Sequence, residues 1–490
     1  MLALKVLFAA SEVAPWVKTG GLGDVAAALP AALAREGCDV RVLVPGYPAM
    51  LRAFPRRERV AALDAPPGVL PRATLSRAEL APGLSLLLLE APGFGERDGN
   101  PYLGPDGRDW PDNAARFALL SHVAALLASD RSPLDWRPDV LHCNDWQSAL
   151  APAYTRHAFG GRGAACVVTI HNLTFMGLFG PEVLGTIGLP PESLTPDGVE
   201  FHGRVSFLKA GLALADRITT VSPTYAREIQ TPDFGCGLEG LLRYRADRLA
   251  GILNGIDTEV WDPASDPALE QPYDAHRLFA KAACKRALQA QLGLAGDAAA
   301  PLLGVVSRLT EQKGLDLLLE IGDALVGEGA QLAVLGSGEH WMEHGFRELA
   351  GRHPGRCATV IGFDEALAHR VEAGADVFVM PSRFEPCGLN QMYSLRYGTV
   401  PVVRRTGGLA DTVVDASGEA LADGRANGFV FDDANAQSLL WALRRAIALR
   451  TDGARWESVV RAGMAADFGW EGAARRYLEQ YRRAIEARAG

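Results

Sequence analysis

The segment 377–408 constrains the fold of this chain more than any other. Residues 377–380 form a short apolar run of the kind found in buried parallel strands. Two prolines within residues 381–386 exclude both helix and strand ladder, so this stretch must be a loop. Apolar residues then recur at helical spacing over 389–397 until a glycine ends the pattern, and 400–403 is a second apolar strand. This order predicts a parallel α/β sheet.

Glu385 lies between the C-terminal end of the first of these strands and the N-terminus of the helix. Ligands bind in this crevice in open α/β sheets. Gly388 and the helix N-terminus offer free backbone N–H groups to an anion, and the Glu385 carboxylate is an acceptor that could hold sugar hydroxyls. Cys387 borders the same helix, where a small residue packing near substrate is a better interpretation than a nucleophilic thiol.

The same alternation of strands and helices runs through the rest of the chain. It extends from residue 4 to residue 253 and restarts at residue 302, after a Pro- and Asp-rich hinge at 256–275. Repeated β-α-β units imply parallel, doubly wound sheets. The stretch 92–113 is dense in Gly, Pro and Asp, which is typical of a lid or binding loop. The predicted boundaries are 1–256 for an N-terminal domain, 257–465 for a C-terminal domain and 466–490 for a terminal helical segment.

Composition excludes several classes of protein. The net charge is 49 − 58 = −9, so a nucleic-acid partner is not predicted. Seven cysteines without a C-x-x-C pair favour reduced thiols in a cytoplasmic protein. No segment is long and apolar enough to predict a membrane span. The N-terminus is better interpreted as a first strand than as a signal peptide, because it lacks a basic region and Lys5 interrupts its apolar run.

Residues 18–24, KTGGLGD, follow the first strand and open a helix. Their glycines fit the G-x-G-x-x-A pattern of dinucleotide-binding loops. However, ten residues separate Ala10 from Gly21 and no acidic residue ends the second strand, which disfavours NAD binding. Glycines that let the backbone approach a phosphate, with Lys18 as a point charge, are a sound alternative. A flexible loop with a helix cap is another.

Arg308 and Lys313 lie in a segment that leaves a buried strand and enters a helix. Two cations five residues apart can close on a diphosphate, with a bidentate grip from Arg and a point charge from Lys. Two unrelated surface cations are the competing interpretation. No D-x-D sequence or His/Cys cluster suggests a metal, so neither a metal nor another cofactor is expected.

Three motifs together resemble one family. The segments 385–389 (EPCGL), 404–409 (RRTGGL) and 18–24 (KTGGLGD) are similar to signatures of the bacterial glycogen synthase and plant starch synthase family, and the resemblance covers essentially the whole chain. It implies the GT-B fold, an α/β architecture of two Rossmann-like, doubly wound parallel-sheet domains facing a deep cleft. It also implies that the N-terminal domain binds a glucan acceptor, that the C-terminal domain binds a nucleotide sugar, and that the terminal helix crosses back onto the N-terminal domain.

The implied reaction is retaining transfer of glucose from ADP-glucose to the non-reducing 4-hydroxyl of an α-1,4-glucan or glycogen, in glycogen biosynthesis and without a metal. The diphosphate is the leaving group, so stabilising its charge with Arg308 and Lys313 is catalysis. A front-face mechanism, in which the leaving phosphate takes the acceptor proton, is the family expectation. One alternative is a GT-B transferase with a small-molecule acceptor. Another is the use of UDP-glucose as the donor. A non-catalytic glucan-binding protein would be expected to lack Arg308, Lys313 or Glu385, and all three are present.

The resemblance also assigns roles to single residues. Asp145 and Trp146 would line the acceptor side, and His171 would meet the donor sugar. Phe363 stands where relatives often have a Tyr that stacks on the nucleobase, so stacking is kept and the hydroxyl is lost. Asn390 stands where Thr is expected. The implied catalytic residues are Glu385, Arg308, Lys313, His171 and Asp145, and the implied substrate-binding residues are Lys18, Gly20, Gly21, Asp24, Tyr102, Trp146, Asn172, Asn254, Phe363, Cys387, Gly388, Leu389 and Asn390.

Overall fold

The computed structural model describes residues 3–63 and 70–489. Its contacts divide the chain into two compact units, Met1–Gly255 with Trp470–Gly490, and Ile256–Gly469. The sequence places the corresponding boundaries at 256/257 and 465/466. The ends of the predicted ranges, residues 1–2 and 490, lie outside the described residues. The binding roles given to the two domains remain predictions.

The first unit is built on a mostly parallel sheet. Its strands are β1 (Lys5–Ala9), β2 (Asp39–Pro45), β3 (Glu58–Leu63), β4 (Ala73–Ala81), β5 (Leu84–Glu90), β6 (Val140–Asn144), β7 (Ala165–Ile170), β8 (Leu178–Phe179), β9 (Glu200–Phe201), β10 (Arg204–Ser206), β11 (Arg217–Thr220) and β12 (Leu249–Gly251). Within the described part of this unit, nine strands form one sheet in the order β12-β11-β7-β6-β1-β2-β5-β4-β3. The strands from β12 to β5 pair in parallel, whereas β4 and β3 add an antiparallel edge. A small antiparallel sheet has the order β8-β10-β9.

Helices follow most of the parallel strands, as β-α-β connections require. They are α1 (Gly21–Arg35), α2 (Pro48–Ala53), α3 (Asn113–Leu127), α4 (Asp145–Ser148), α5 (Ala151–His157), α6 (Leu184–Ile187), α7 (Phe207–Leu214), α8 (Pro223–Glu228) and α9 (Glu239–Tyr244). Short 3-10 helices lie at Pro181–Val183, Pro191–Ser193 and Ala246–Arg248.

The C-terminal helix, Trp470–Ala489, packs on α1 and β7 of this first unit. The Tyr481 hydroxyl lies 2.8 Å from His142 Nδ1 on β6, and the Gln480 amide oxygen accepts hydrogen bonds of 2.9 and 3.2 Å from Arg217 on β11. A Cβ on Gly255 would lie 2.9 Å from Trp470, so the chain leaves and re-enters this unit at one point. The last helix therefore completes the first unit.

The second unit contains a six-stranded sheet within its described residues. The strands are β13 (Leu302–Val306), β14 (Gln331–Gly336), β15 (Cys357–Ile361), β16 (Val377–Met380), β17 (Val400–Arg404) and β18 (Phe429–Phe431). All pair in parallel, in the order β15-β14-β13-β16-β17-β18. Alternate residues enter separate cores: Val377 and Val379 pack on one face, and Phe378 and Met380 on the other. Both faces are covered, as expected of an all-parallel sheet.

The helices of the second unit cover these two faces. They are α10 (Lys281–Gln291), α11 (Leu315–Gly327), α12 (His340–Arg352), α13 (Glu365–Gly374), α14 (Asn390–Arg396), α15 (Gly407–Thr412), α16 (Gly418–Ala422), α17 (Ala436–Arg450) and α18 (Gly453–Met464), with 3-10 helices at Leu278–Ala280 and Glu311–Lys313. The predicted doubly wound parallel α/β class is confirmed. The predicted loop at 381–386 is present, and Gly398, with φ of +64°, lies two residues beyond the last residue of the helix that it was expected to end.

Candidate active site

Three neighbouring strands, β13, β16 and β17, deliver loops to one edge of the second sheet. Glycines let these loops touch. A Cβ on Gly314 would lie 2.0 Å from the carbonyl oxygen of Pro381, and one on Gly407 would lie 1.8 Å from that of Glu385. Both glycines also have positive φ, at +65° and +43°. Any side chain there would have to push the loops apart.

Lys313 and Glu385 form a salt bridge at this edge, with Nζ 2.5 Å from Oε2. Their side chains are only 18% and 7% exposed. Ser382 donates its hydroxyl to the same carboxylate oxygen at 3.1 Å. Because charges are costly to bury unless they are paired and hydrogen-bonded, this geometry holds both groups in place. The two residues come from loops 72 positions apart, and the structure brings them together as the sequence predicts for one site.

Arg383 clamps the two loops against each other. It makes two hydrogen bonds of 2.7 Å to the carboxylate of Asp316 on α11, and Nη1 also donates to the carbonyl of Glu311 at 2.8 Å. Its backbone N–H donates to the carbonyl of Gln312 at 2.9 Å. A bidentate Arg–carboxylate pair is directionally specific. Sequence reasoning missed this role, since nothing local links residue 383 to residue 316.

Arg308 and Phe363 are exposed at the same edge, after β13 and β15 respectively. Within residues 3–63 and 70–489, the Arg308 guanidinium has no hydrogen-bond or salt-bridge partner. Phe363 is 78% exposed, which is unusual for a large apolar ring. A free guanidinium and an open aromatic face are both available to a ligand.

The start of α14 carries four of the predicted ligand-binding residues. Cys387 is buried, Gly388 has φ of +71°, and Leu389 directly precedes the helix. Asn390 donates its side-chain amide to the carbonyl of Val306 at 2.6 Å, which ties α14 to the end of β13. The amide N–H group of Asn390 is therefore used within the chain, and contact with phosphate remains a prediction.

In the first unit, Asp145 occupies the junction of β6 and α4 with φ of +52°, a rare value for a residue other than glycine. The residue is 7% exposed, and its carboxylate accepts backbone N–H bonds from His171 at 2.7 Å and Asn172 at 3.4 Å. Burial raises the pKa of Asp145 to about 7, although these two N–H groups act in the opposite direction. Strain and a perturbed carboxyl at a strand end are typical of a functional site.

His171 lies beside Asp145, at the end of β7. Its Nε2 is 3.0 Å from the Asn144 side-chain oxygen, so Nε2 donates and Nδ1 is left as an acceptor. Burial lowers the pKa of His171 to about 3, which keeps the imidazole neutral at pH 7. Trp146 continues the surface, with its ring 5.0 Å from Phe117 and 6.4 Å from Tyr102. The structure thus groups Asp145, Trp146, His171, Asn172 and Tyr102.

The loop at 18–24 lies at the adjacent strand end, between β1 and α1. Lys18 is exposed and its Nζ lies 2.7 Å from Asp24. Gly20 is the residue before α1 and Gly21 is the first residue of the helix. Asn254 is 6% exposed, and its side-chain oxygen finds no hydrogen-bond partner among the described residues. A buried acceptor without a partner is expected to meet a water molecule or a ligand.

Glu12 is a buried carboxylate that sequence reasoning missed. It is 2% exposed and accepts hydrogen bonds from the backbone N–H of Thr19 at 2.5 Å, the Thr19 hydroxyl at 2.6 Å and the Tyr102 hydroxyl at 2.5 Å. Ser11 Oγ lies 2.7 Å from the same Tyr102 hydroxyl. Glu12 lies three residues beyond β1 and outside every motif, so the sequence offers no signal for it.

The described residues contain neither a cluster of metal-binding side chains nor a membrane-spanning helix. No group of three or more His, Cys, Asp or Glu side chains there could hold a metal ion. No helix in that part of the chain is long and apolar enough to cross a membrane.

Models of known protein families match parts of both units of the chain. Residues 5–244 match the model described as starch synthase catalytic domain, and residues 294–461 match glycosyl transferases group 1. A solved structure, the catalytic domain of starch synthase IV from Arabidopsis thaliana bound to ADP and acarbose, aligns with a TM-score of 0.86 and 34% identity over 99% of this chain and 100% of that one. A sucrose-phosphate synthase from Thermosynechococcus elongatus aligns at 0.60 and 17% identity, which shows a shared fold alone. Fold and site therefore define a glycosyltransferase of the GT-B class.

Comparison with curated protein sequences identifies the family to which the chain belongs within this class. Glycogen synthase of Dechloromonas aromatica is 57% identical over 489 residues, which is the whole of both chains. Glycogen synthase of Aromatoleum aromaticum is 55% identical over 98% of this chain and 96% of that protein. This chain belongs to the glycogen synthase and starch synthase family.

Proposed function

We propose that this protein transfers glucose from ADP-glucose to the non-reducing 4-hydroxyl of an α-1,4-glucan, with retention of anomeric configuration. The observation that carries the proposal is the buried Lys313–Glu385 salt bridge at the sheet edge where Arg308 is also exposed, with a guanidinium that has no partner among the described residues. This is a ready arrangement of positive charge and a sugar-hydroxyl acceptor at the carboxyl edge of a parallel sheet.

The second unit binds the donor in this proposal. Arg308 and Lys313 take the diphosphate, and their charge stabilises it as it becomes the leaving group. Glu385 accepts hydrogen bonds from the glucose hydroxyls and orients the anomeric carbon. Phe363, with its open ring face, stacks on the nucleobase. No metal is required, because the two cationic side chains supply the charge that a divalent ion supplies in other transferases.

The first unit binds the glucan in this proposal, with Trp146 as an aromatic surface and Asp145 and His171 near the reacting hydroxyl. Neutral His171 keeps Nδ1 as a hydrogen-bond acceptor and carries no charge that would attract the phosphate groups. Lys18 and Gly21, within the first unit, offer a cation and a helix N-terminus to phosphate oxygen atoms of the donor. The leaving phosphate takes the proton of the attacking hydroxyl on the same face, which retains configuration.

A reducing compartment such as the cytoplasm suits the cysteines. The described residues include all seven, and none of them forms a disulfide. Six are buried and one, Cys236, is exposed. An exposed thiol outside any disulfide is compatible with the cytoplasm, where thiols are kept reduced.

The test is glucose incorporation into glycogen with ADP-glucose and UDP-glucose side by side, with and without a chelator. A strong preference for ADP-glucose that survives chelation supports the proposal. Preference for UDP-glucose reassigns the nucleobase, and loss of activity that only a divalent ion restores refutes the metal-free mechanism. Slow donor hydrolysis without glucan product from either donor indicates a small-molecule acceptor.

A further inference from the structure

Glu12 joins two segments that are distant in sequence. Thr19, which donates two hydrogen bonds to it, directly follows Lys18, and Tyr102 lies in the glycine-rich stretch 92–113. Burial first, and the Glu12 charge next, raise the pKa of Tyr102 well above its usual value, so its hydroxyl stays protonated and donates. One carboxylate therefore links Thr19 to Tyr102.

The Tyr102 side of this link is held firmly by α3. Asn113 donates its side-chain amide to the Tyr102 carbonyl at 3.0 Å, and Arg116 donates to the Pro101 carbonyl at 2.8 Å. On the Lys18 side the residues Lys18, Thr19 and Gly20 are all exposed, and Lys18 also pairs with Asp24 at 2.7 Å. Hydrogen bonds thus connect α3 to the Tyr102 backbone, and the Tyr102 hydroxyl to Glu12, which in turn binds the exposed loop at Thr19.

Glu12 is not stabilised as part of an ion pair. Within residues 3–63 and 70–489, no cationic side chain lies within 4.0 Å of its carboxylate. A buried carboxylate of this kind depends on its hydrogen-bond donors, and the short bonds from Thr19 and Tyr102 meet that need. Loss of the carboxylate would in turn leave the Thr19 N–H and the two hydroxyls without their acceptor.

We propose that Glu12 is a positioning residue that fixes the Lys18 loop to the Tyr102 segment, so that Lys18 is held where it meets the donor diphosphate. This inference rests on the proposed function, in which Lys18 is a donor ligand. Glu12 touches neither reacting atom; it acts through Thr19 and Tyr102.

The kinetic test compares Glu12→Gln and Thr19→Val with the wild-type protein. Gln keeps the shape of Glu12 but loses the charge and one acceptor, and Val keeps the shape of Thr19 but loses its hydroxyl. We expect Glu12→Gln to lower kcat/KM for ADP-glucose about 10-fold or more, with KM for glycogen within about twofold of the wild-type value. The lost acceptor should also lower the thermal midpoint. Thr19→Val should give a smaller loss with the same selectivity, and the double variant should be no worse than Glu12→Gln alone.

Asp98→Asn is the matched control. Asp98 lies in the same 92–113 segment as Tyr102 and forms an exposed salt bridge of 2.9 Å with Arg52. The substitution breaks this salt bridge and should leave all kinetic parameters unchanged. Donor parameters at wild-type values in Glu12→Gln and Thr19→Val would overturn the proposal. So would equal losses for donor and glycogen that follow a fall in thermal midpoint, because that is the signature of a merely structural role.

Amide hydrogen exchange separates this inference from the proposed function. Glu12→Gln should accelerate exchange in both 13–20 and 98–104, whereas Asp98→Asn should not accelerate it in 13–20. If the wild-type protein transfers no glucose, the proposed function fails, and exchange alone decides whether Glu12 couples the segments. Exchange at the wild-type rate in 13–20 of Glu12→Gln would overturn the coupling whatever the activity.

Discussion

The Lys313–Glu385 salt bridge allows stability and catalysis to be separated. Lys313→Met leaves the Glu385 carboxylate buried and without its cation, which should lower the free energy of unfolding by about 3 kcal/mol. Glu385→Gln leaves a Lys that is 18% exposed and can turn its Nζ toward water, so about 1 kcal/mol is expected. The double variant buries no unpaired charge and should lose only about 1.5 kcal/mol, which gives a coupling energy of about 2.5 kcal/mol.

Activity should not follow the same pattern. Both single variants and the double variant should lose at least about 100-fold in kcat/KM for ADP-glucose, because each removes a charge from the proposed donor site. Urea denaturation followed by circular dichroism gives the free energies of unfolding, and glucose incorporation into glycogen gives kcat/KM. Additive losses of stability would show that the pair is not coupled. A double variant that regains activity along with stability would show that the pair is structural, which would refute its role in the site.

Two further predictions concern the pH dependence of stability and the close approach of two loops. In the folded state the pKa of Asp145 is about 7 and its ordinary value is 3.8, so wild-type stability falls as pH rises between these values, by about 4 kcal/mol at most. The free energy of unfolding of Asp145→Asn minus that of the wild type should therefore increase from pH 4 to pH 7. Urea titrations at several pH values in this range measure this difference, and a constant difference would contradict the burial argument. Gly407→Ala places a Cβ 1.8 Å from the Glu385 carbonyl oxygen and should lower both thermal midpoint and kcat. Gly424→Ala, which has φ of +67° and nothing within 4 Å, is the control that should cost only about 1 kcal/mol; equal effects of the two substitutions would show that loop contact is unimportant.

The parallel sheets could be predicted because their signal is local. A run such as Val377–Met380 is apolar throughout only when both faces of a strand are covered, and the structure gives the same bounds. Antiparallel edges carry a weaker pattern. Glu58–Leu63 and Ala73–Ala81 are partly exposed and mix charged and apolar residues, so neither strand was predicted from the sequence.

The candidate site was predictable to the extent that its residues lie at strand ends. Glu385 and Lys313 each follow a strand, and adjacent parallel strands bring such residues together. The supporting contacts were not predictable in this way. Arg383 meets Asp316 across 67 positions and Asn390 meets Val306 across 84, and neither pair has a spacing or composition that marks it. The contacts that support a site depend on the packing of the whole sheet, and this packing cannot be derived from a single sequence.

The helix Trp470–Ala489 has a consequence for how the protein is made. The ribosome synthesises the whole of Ile256–Gly469 before it reaches this helix. At about 5–20 residues per second this synthesis takes tens of seconds. During that delay the nascent first unit lacks the partners that Tyr481 and Gln480 later supply to His142 and Arg217. The N-terminal unit therefore completes this face of its sheet only after the chain behind it has been synthesised.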